Sequence, residues 1–396
     1  MKPIPLYPLA GIDNASKRDD ALQVGGQARR LFLRDAVNVD ISDTGRASMR
    51  PGLRKVAALA LASLWQSPLH KDVFAVEGGS WVKVDPLTWS VEPLADIGPG
   101  PATHLVLNNV VLAAGAAGIF QFDGRGAQRF TIDTPAAPMV SAASGSLVAG
   151  TYGVAIGWLR GAMESPLSAM THCKVGQAGA LAITLPLCLD PTVTGVRLYL
   201  TRTDGGELLR GEDYPIGTPY VEIPLLAELG AAPQFQHMEP MPTGKYFGQW
   251  RGRLVSARAN VVRFSQALAY HVHDPRHDFV LMPQRVTFLQ PVDGGIWVGQ
   301  VDHVAFLAGT QPDELQLVRK TSKAPVPGSA LALDAETAGE IAAGGSAVVA
   351  WLADNGYALG TADGGVIEKH ATRLRGITGN QGTSIVFRNR LTTAVT

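Results

Sequence analysis

Cysteine is nearly absent. Cys173 and Cys188 are the two in 396 residues, and they do not stand in C-x-x-C spacing. That argues against a cysteine zinc site and fits free, buried thiols in a reducing compartment. Charge is scarce at 17% and balanced, with 34 Lys+Arg against 34 Asp+Glu. No bulk field therefore marks a nucleic-acid binder. No apolar run approaches the roughly 18 residues of a membrane span. The opening Met1-Lys2-Pro3-Ile4-Pro5-Leu6 has two prolines and no signal-peptide core, so synthesis in the cytoplasm is expected.

Catalytic signatures are missing as well. There is no G-x-S-x-G elbow, no phosphate-binding G-x-x-x-x-G-K-[ST] and no H-E-x-x-H. Glycoside hydrolysis needs two carboxylates across one cleft, and no such pair can be placed. Thr361-Ala362-Asp363-Gly364-Gly365 matches half of a sialidase-type turn, but Glu368 replaces its aromatic residue. It reads as an Asp-Gly hairpin turn. Trp65, Trp81, Trp89, Trp158, Trp250, Trp297 and Trp351 are spread over strand positions and read as core rather than a sugar platform. The cluster His271-Val272-His273-Asp274-Pro275-Arg276-His277-Asp278 has metal-ligand chemistry. Pro275 within the cluster favours an exposed polar loop. No enzyme activity, cofactor or metal is expected.

What is present is apolar and rich in turns: 46% hydrophobic residues, with Gly 44 and Pro 26 scattered between short apolar runs. This composition predicts an all-β chain of two or three domains. Near the start, Val37, Val39 and Ile41 alternate along a short strand, Ser42–Gly45 turns, and Pro51-Gly52 breaks a second strand. Over 56–134, hairpins follow one another: Val73–Val76 with Trp81–Val84, a strand from Trp89 ending at Pro93, then Leu105–Leu107 and Val110–Ala113 about Asn108-Asn109. Ile119–Phe122 and Gln128–Ile132 flank Asp123-Gly124.

Pro135 and Pro138 mark a break. About six strands between 150 and 224, turning roughly every ten residues, have the rhythm of a small β-sandwich. From Lys245 the hairpins resume, with Asp293-Gly294, Asn355-Gly356 and Asp363-Gly364 as turns. Their recurrence at about 40–55 residues is a β-propeller blade period. The predicted organisation is an N-terminal arm and closing strand (1–55), a first propeller part (56–134), a β-sandwich insert (135–240) and a second propeller part (241–396). The opening strand is predicted to close the last blade beside Ser384–Phe387.

The ordered strings "G-I-D-N", "R-D-A-V-N-V-D-I" and "G-R-A-S-M-R-P-G" in the first 52 residues resemble bacteriophage tail nozzle or packaged-DNA stabilisation proteins. "G-R-L-V-S-A" from Gly252 and "P-V-D-G-G-I-W-V-G" from Pro291 resemble the same group. "A-G-T-Y" and "G-V-R-L-Y-L-T-R" between 149 and 202 resemble immunoglobulin-like or fibronectin-III-like modules. The resemblance implies a virion structural protein of the tail or neck. It implies a homo-oligomeric ring of about six copies around the DNA channel. That ring would meet head–tail adaptor or portal proteins and tail fibres. It would retain packaged DNA, touch it transiently and permit its ejection. The alternative is an all-β tail protein that binds or cleaves receptor carbohydrate.

Local charge is uneven. Residues 245–290 hold seven Lys or Arg against Asp274 and Asp278, and residues 1–55 hold ten against six Asp. Arg251, Arg253, Arg258 and Arg263 are the candidate DNA-channel or subunit-interface residues, with Arg251 and Arg253 expected on one strand face.

Overall fold

In the computed structural model the chain is nearly all β. The structure describes residues 8–18, 22–24, 30–42, 44–50, 52, 54–321, 323–339, 347–387 and 390–396. Pro51, Asp43 and Ser346, which belong to expected turns and strands, lie outside the described residues. Two compact units are present: Ala60–Val280, and Met1–Leu59 with Leu281–Thr396. They divide the chain elsewhere than at the predicted 135 and 240.

Four-stranded antiparallel meanders recur along the sequence, five of them among the described residues. In the Ala60–Val280 unit the first runs Ala62–Gln66, Val73–Glu77, Ser80–Val84, Val91–Asp96. The second runs Thr103–Leu107, Val110–Gly115, Gly118–Phe122, Ala127–Arg129, and the third starts at Tyr246–Trp250 and Arg253–Arg258. Turn chemistry makes these hairpins. Asn108 and Asn109 both adopt positive φ, 47° and 65°, between the paired residues Leu107 and Val110. That is the type I′ geometry whose twist matches the strands. Pro93 does not end its strand as predicted. It sits on the outermost strand of the meander, where no further strand needs its missing N–H, beside a register shift at Trp81/Val82.

The second meander is buried on both faces. Val111, Ala113, Phe120 and Phe122 pack with Phe74, Val76 and Trp81 of the first. Leu112, Ala114 and Ile119, which alternate with them, pack with Phe247 and Leu254 of the third. Period-two alternation thus sends one strand into two cores, and so Val110–Gly115 is apolar at every position.

Between the second and third meanders lies a two-sheet segment. One sheet orders Met139–Leu147, Gly179–Thr184 and Tyr220–Ile223. The other orders Met163–Glu164, Gly150–Arg160, Gly195–Leu200 and Leu209–Pro215, with Thr171–Val175 also paired to Gly150–Arg160. Val154, Ile156, Trp158, Val196, Leu198 and Leu200 of this sheet share a core with Leu181, Ile183 and Val221 of the first.

In the other unit, the fourth meander is Val286–Val292, Gly295–Gln300, Val304–Ala308, Gln316–Thr321, and the fifth is Leu331–Leu333, Val348–Ala353, Gly356–Gly360, Val366–Glu368. Phe288, Trp297 and Phe306 of one pack on Val349 and Trp351 of the other. The indoles of Trp297 and Trp351 lie 5.3 Å apart. The predicted closing role of residues 1–55 needs correction. Val39–Ile41 pairs with Ala47–Met49, and Gly382–Phe387 pairs with Arg390–Val395, so each is half of its own hairpin. Pairing between segments adjacent in sequence satisfies these backbones locally. The arm instead reaches the C-terminal region through Asn14, whose N–H donates to the Arg373 carbonyl at 2.9 Å.

Candidate functional site

The four arginines singled out in the sequence do not form one surface. Arg251 sits in the two-residue turn between Trp250 and Arg253, with φ 45°, so strand alternation does not relate it to Arg253. Arg253 is largely buried. Its Nη1 donates to the Ser265 carbonyl at 2.8 Å and lies 3.9 Å from Asp278 Oδ1. Arg263 stands opposite Ser256, and Arg258 is two residues along from Ser256, so these two share the other face. The expected pairing of Arg251 with Arg253 is therefore replaced by Arg258 with Arg263.

The His271–Asp278 loop is not the exposed polar loop expected. His271, His273, Asp274 and Asp278 are all buried. Glu239–Pro240 pairs antiparallel with Val272–His273 and covers the loop, and the Met241 N–H donates to the His271 carbonyl at 2.8 Å. Inside it, Arg276 holds Asp274 through Nε and Nη2 at 2.9 and 2.7 Å. This pairing and the Arg276 N–H pull the Asp274 carboxyl down to about 2, against the opposing effect of burial. Gln266 Nε2 and the Asp274 N–H donate to Asp278. The two carboxylates of the loop are engaged within it and by Gln266, while the buried His273 Nδ1 has no hydrogen-bond partner, and no group of three or more His, Cys, Asp or Glu is placed to hold a metal among the described residues.

His271 has a longer reach. Its Nε2 lies 2.8 Å from the Glu164 carbonyl oxygen, and its ring meets Phe235 edge-on at 5.4 Å. It thereby ties the third meander to the two-sheet segment within one compact unit. Burial pushes the imidazole below its ordinary range, so the ring is held neutral with Nε2 as donor.

Behind that contact is an ionic network, running from buried Glu164 to the exposed Asp213, that sequence reading did not single out. Glu164 Oε1 accepts from Tyr199 Oη at 2.5 Å, and Oε2 accepts from Arg197 Nη1 at 2.7 Å. Arg197 uses Nε and Nη2 on Asp213 at 2.7 and 2.8 Å, and Arg210 joins Asp213 at 2.9 Å. The Arg197 pairing, followed by Arg210, lowers the Asp213 carboxyl despite partial burial. Burial and the Glu164 hydrogen bond raise the Tyr199 phenol far above its ordinary value. Gly157 leaves room for the carboxylate: a Cβ there would stand 3.0 Å from Glu164 Oε1. The signal was alternation. Val196, Leu198 and Leu200 face the sheet core, which throws Arg197 and Tyr199 to the other face. The network fixes one strand face.

The sialidase-like turn is a structural support. Gly365 N–H donates to Thr361 Oγ1 at 2.8 Å, and the Thr361 carbonyl accepts from Trp297 Nε1 at 3.0 Å. Trp81, Trp158, Trp250, Trp297 and Trp351 are buried among apolar neighbours, so these five offer no face to a sugar.

No family model and no curated protein match the chain. Among solved structures it is similar to BBS1N in complex with ARL6DN, at 11% identity, 85% of this chain, 91% of that one and TM-score 0.34. A Myceliophteria thermophila Cps50 (Swd1) beta-propeller domain matches at 9% identity over 79% and 86%, TM-score 0.29. Kluyveromyces lactis Hsv2 matches at 10% identity over 77% and 74%, TM-score 0.25. Likenesses with TM-scores this low carry no argument about fold or function here.

Proposed function

We propose that this chain is a bacteriophage virion structural protein of the tail or neck, of the nozzle kind. In this reading the meanders are blades of a β-propeller, and the two-sheet segment is an immunoglobulin-like or fibronectin-III-like insert. Copies form a ring around the DNA channel, meet head–tail adaptor or portal proteins and tail fibres, retain packaged DNA and let it pass on ejection. One observation carries the reading: consecutive four-stranded meanders interrupted after the second by a two-sheet segment. That is the order the sequence resemblance implies. A protein with this role works through shape and assembly, and the Glu164–Arg197–Asp213 network suits it by holding the insert's strand face rigidly.

Native mass spectrometry and negative-stain imaging of the purified full chain test it. A closed ring of about six copies is the expected result. A monomer at every concentration that binds or cleaves glycans would replace this reading with the carbohydrate one.

A further inference from the structure

The distinctive arm and a basic segment far away in sequence meet in one place. Asn14 and Ala15 N–H groups donate to the Arg373 carbonyl at 2.9 and 3.1 Å, and Asn14 Nδ2 donates to the Arg375 carbonyl at 3.0 Å. The side chains of Arg373 and Arg375 are then held by neutral groups. The Arg373 guanidinium lies 3.8 Å over the Phe32 ring, and Arg375 Nε donates to the Asn14 carbonyl at 3.4 Å. Neither guanidinium is ion-paired to a carboxylate among the described residues. Asp13 is buried and accepts from Ala15 N, Ser16 N and Ser16 Oγ; these bonds, with a smaller contribution from the Arg373 charge, lower its carboxyl, so Arg373 is partly balanced and Arg375 is not ion-paired. Asp35 caps the Ala36 N–H, and Asp19 and Asp20 lie outside the described residues. Lys369 and His370 are exposed on the same turn, where Arg373 N and Leu374 N donate to the His370 carbonyl at 2.9 Å.

We infer that Lys369, Arg373 and Arg375, clasped by the N-terminal arm, form a contact surface for the phosphate backbone of nucleic acid. Two planar guanidiniums held by a ring and a carbonyl keep donors available and lose little freedom on binding an anion. A row of point charges without base-reading geometry gives sequence-blind, salt-dependent contact. This deepens the virion reading by placing a nucleic-acid contact outside the arginines at 251–263. Ring assembly is scored separately, so failure of either leaves the other standing.

The test is fluorescence anisotropy of the full chain with a random-sequence DNA duplex between 50 and 200 mM salt. Three phosphate contacts predict a log–log slope near −2.7, so affinity falls roughly 40-fold over that range. R373Q/R375Q should lower the slope by about 2. R373K/R375K should keep it, and R258Q/R263Q should leave it unchanged. The arm docks through the Arg373 and Arg375 main chain, but R373Q/R375Q also removes the Phe32 and Asn14 side-chain contacts, so this variant should melt slightly below the wild type, and binding is read at a temperature where the melting curves show every variant folded. An unchanged slope in R373Q/R375Q would overturn the assignment. So would failed rescue by lysine, loss in R258Q/R263Q alone, or binding of poly-glutamate in place of DNA, which would mark an acidic protein partner instead.

Discussion

Asn14 and Arg375 exchange two hydrogen bonds across 361 residues of sequence: Asn14 Nδ2 donates to the Arg375 carbonyl, and Asn14 Oδ1 accepts the Arg375 N–H, each at 3.0 Å. A side-chain amide is being used as a backbone partner, which no strand edge supplies here. The G-I-D-N string is thus explained one residue at a time. Gly11 has φ 130° in the strand before the turn, Asp13 closes the turn on Ser16, and Asn14 makes the clasp.

Asn14→Ala should therefore lower stability by about 1–2 kcal/mol, since two net hydrogen bonds are lost at an exposed site. Asn14→Asp should cost a similar amount, because the Arg375 carbonyl loses its donor. Chemical denaturation checks both, and no change in either would show that the arm is held elsewhere.

Arg197→Met should destabilise by about 3–5 kcal/mol, because Glu164 would be left buried and uncompensated. Tyr199→Phe should cost less, about 1–3 kcal/mol, as it removes one donor from the same carboxylate. The double replacement Glu164→Gln with Arg197→Met should recover part of the loss. Unfolding curves of the three variants decide it, and equal stability of Arg197→Met and wild type would contradict the network.

Gly360→Ala should perturb tryptophan fluorescence and cost about 1–3 kcal/mol. The added Cβ would stand 2.5 Å from Trp297 Cε2, inside a packed indole pair that cannot retreat. A wild-type emission spectrum would show that the strand shifts freely.

Acid should weaken the first and second meanders through His104. Burial pushes this imidazole down to about 4, against an ordinary value near 6.5. Its ring is stacked on Trp65 at 5.3 Å, with Phe74 and Trp81 close by. The folded-state value is depressed, so the unfolded chain binds the extra proton first. The contribution is fully present above pH 6.5 and lost as pH falls from there toward 4, to a limit of about 3 kcal/mol. His104→Phe should flatten the stability profile over that window. A parallel profile would assign the acid loss to other groups.

His271→Ala should loosen the junction between the third meander and the two-sheet segment. It removes the contact to the Glu164 carbonyl and the edge-on Phe235 packing. Faster hydrogen exchange around 239–241 and 271–273 is expected, with wild-type exchange around Val110–Gly115. Zinc or manganese should shift the melting temperature of the wild type no more than it shifts that of a variant with His271, His273 and His277 changed to Ala. A metal-dependent rise in the wild type alone would reverse the structural reading of this loop.

Local chemistry made most strands legible. Asn108-Asn109 and Gly78-Gly79 demand positive φ, so their hairpins are written in two residues each. Met139–Leu147 escaped because its middle, Ser141–Ser146, is all Ser, Ala and Gly, and its pairing with Gly179–Thr184 supplies the order. The His271–Asp278 segment misled for the opposite reason. Its polar composition describes an exposed loop, yet its carboxylates are held by Arg276 and by backbone N–H groups and Glu239–Pro240 covers it.

Sequence alone determined the all-β character, the turn positions and the serial hairpins, because alternation and glycine or asparagine φ preferences act within a few residues. Tertiary structure alone decided that Arg253 is largely buried while Arg258 and Arg263 share a face, that Glu164 meets Arg197, and that Asn14 clasps Arg375. Those facts depend on which distant segments pack together. Many pairings of charge with charge or amide with backbone are comparable in local energy, and the close packing of the apolar cores selects among them.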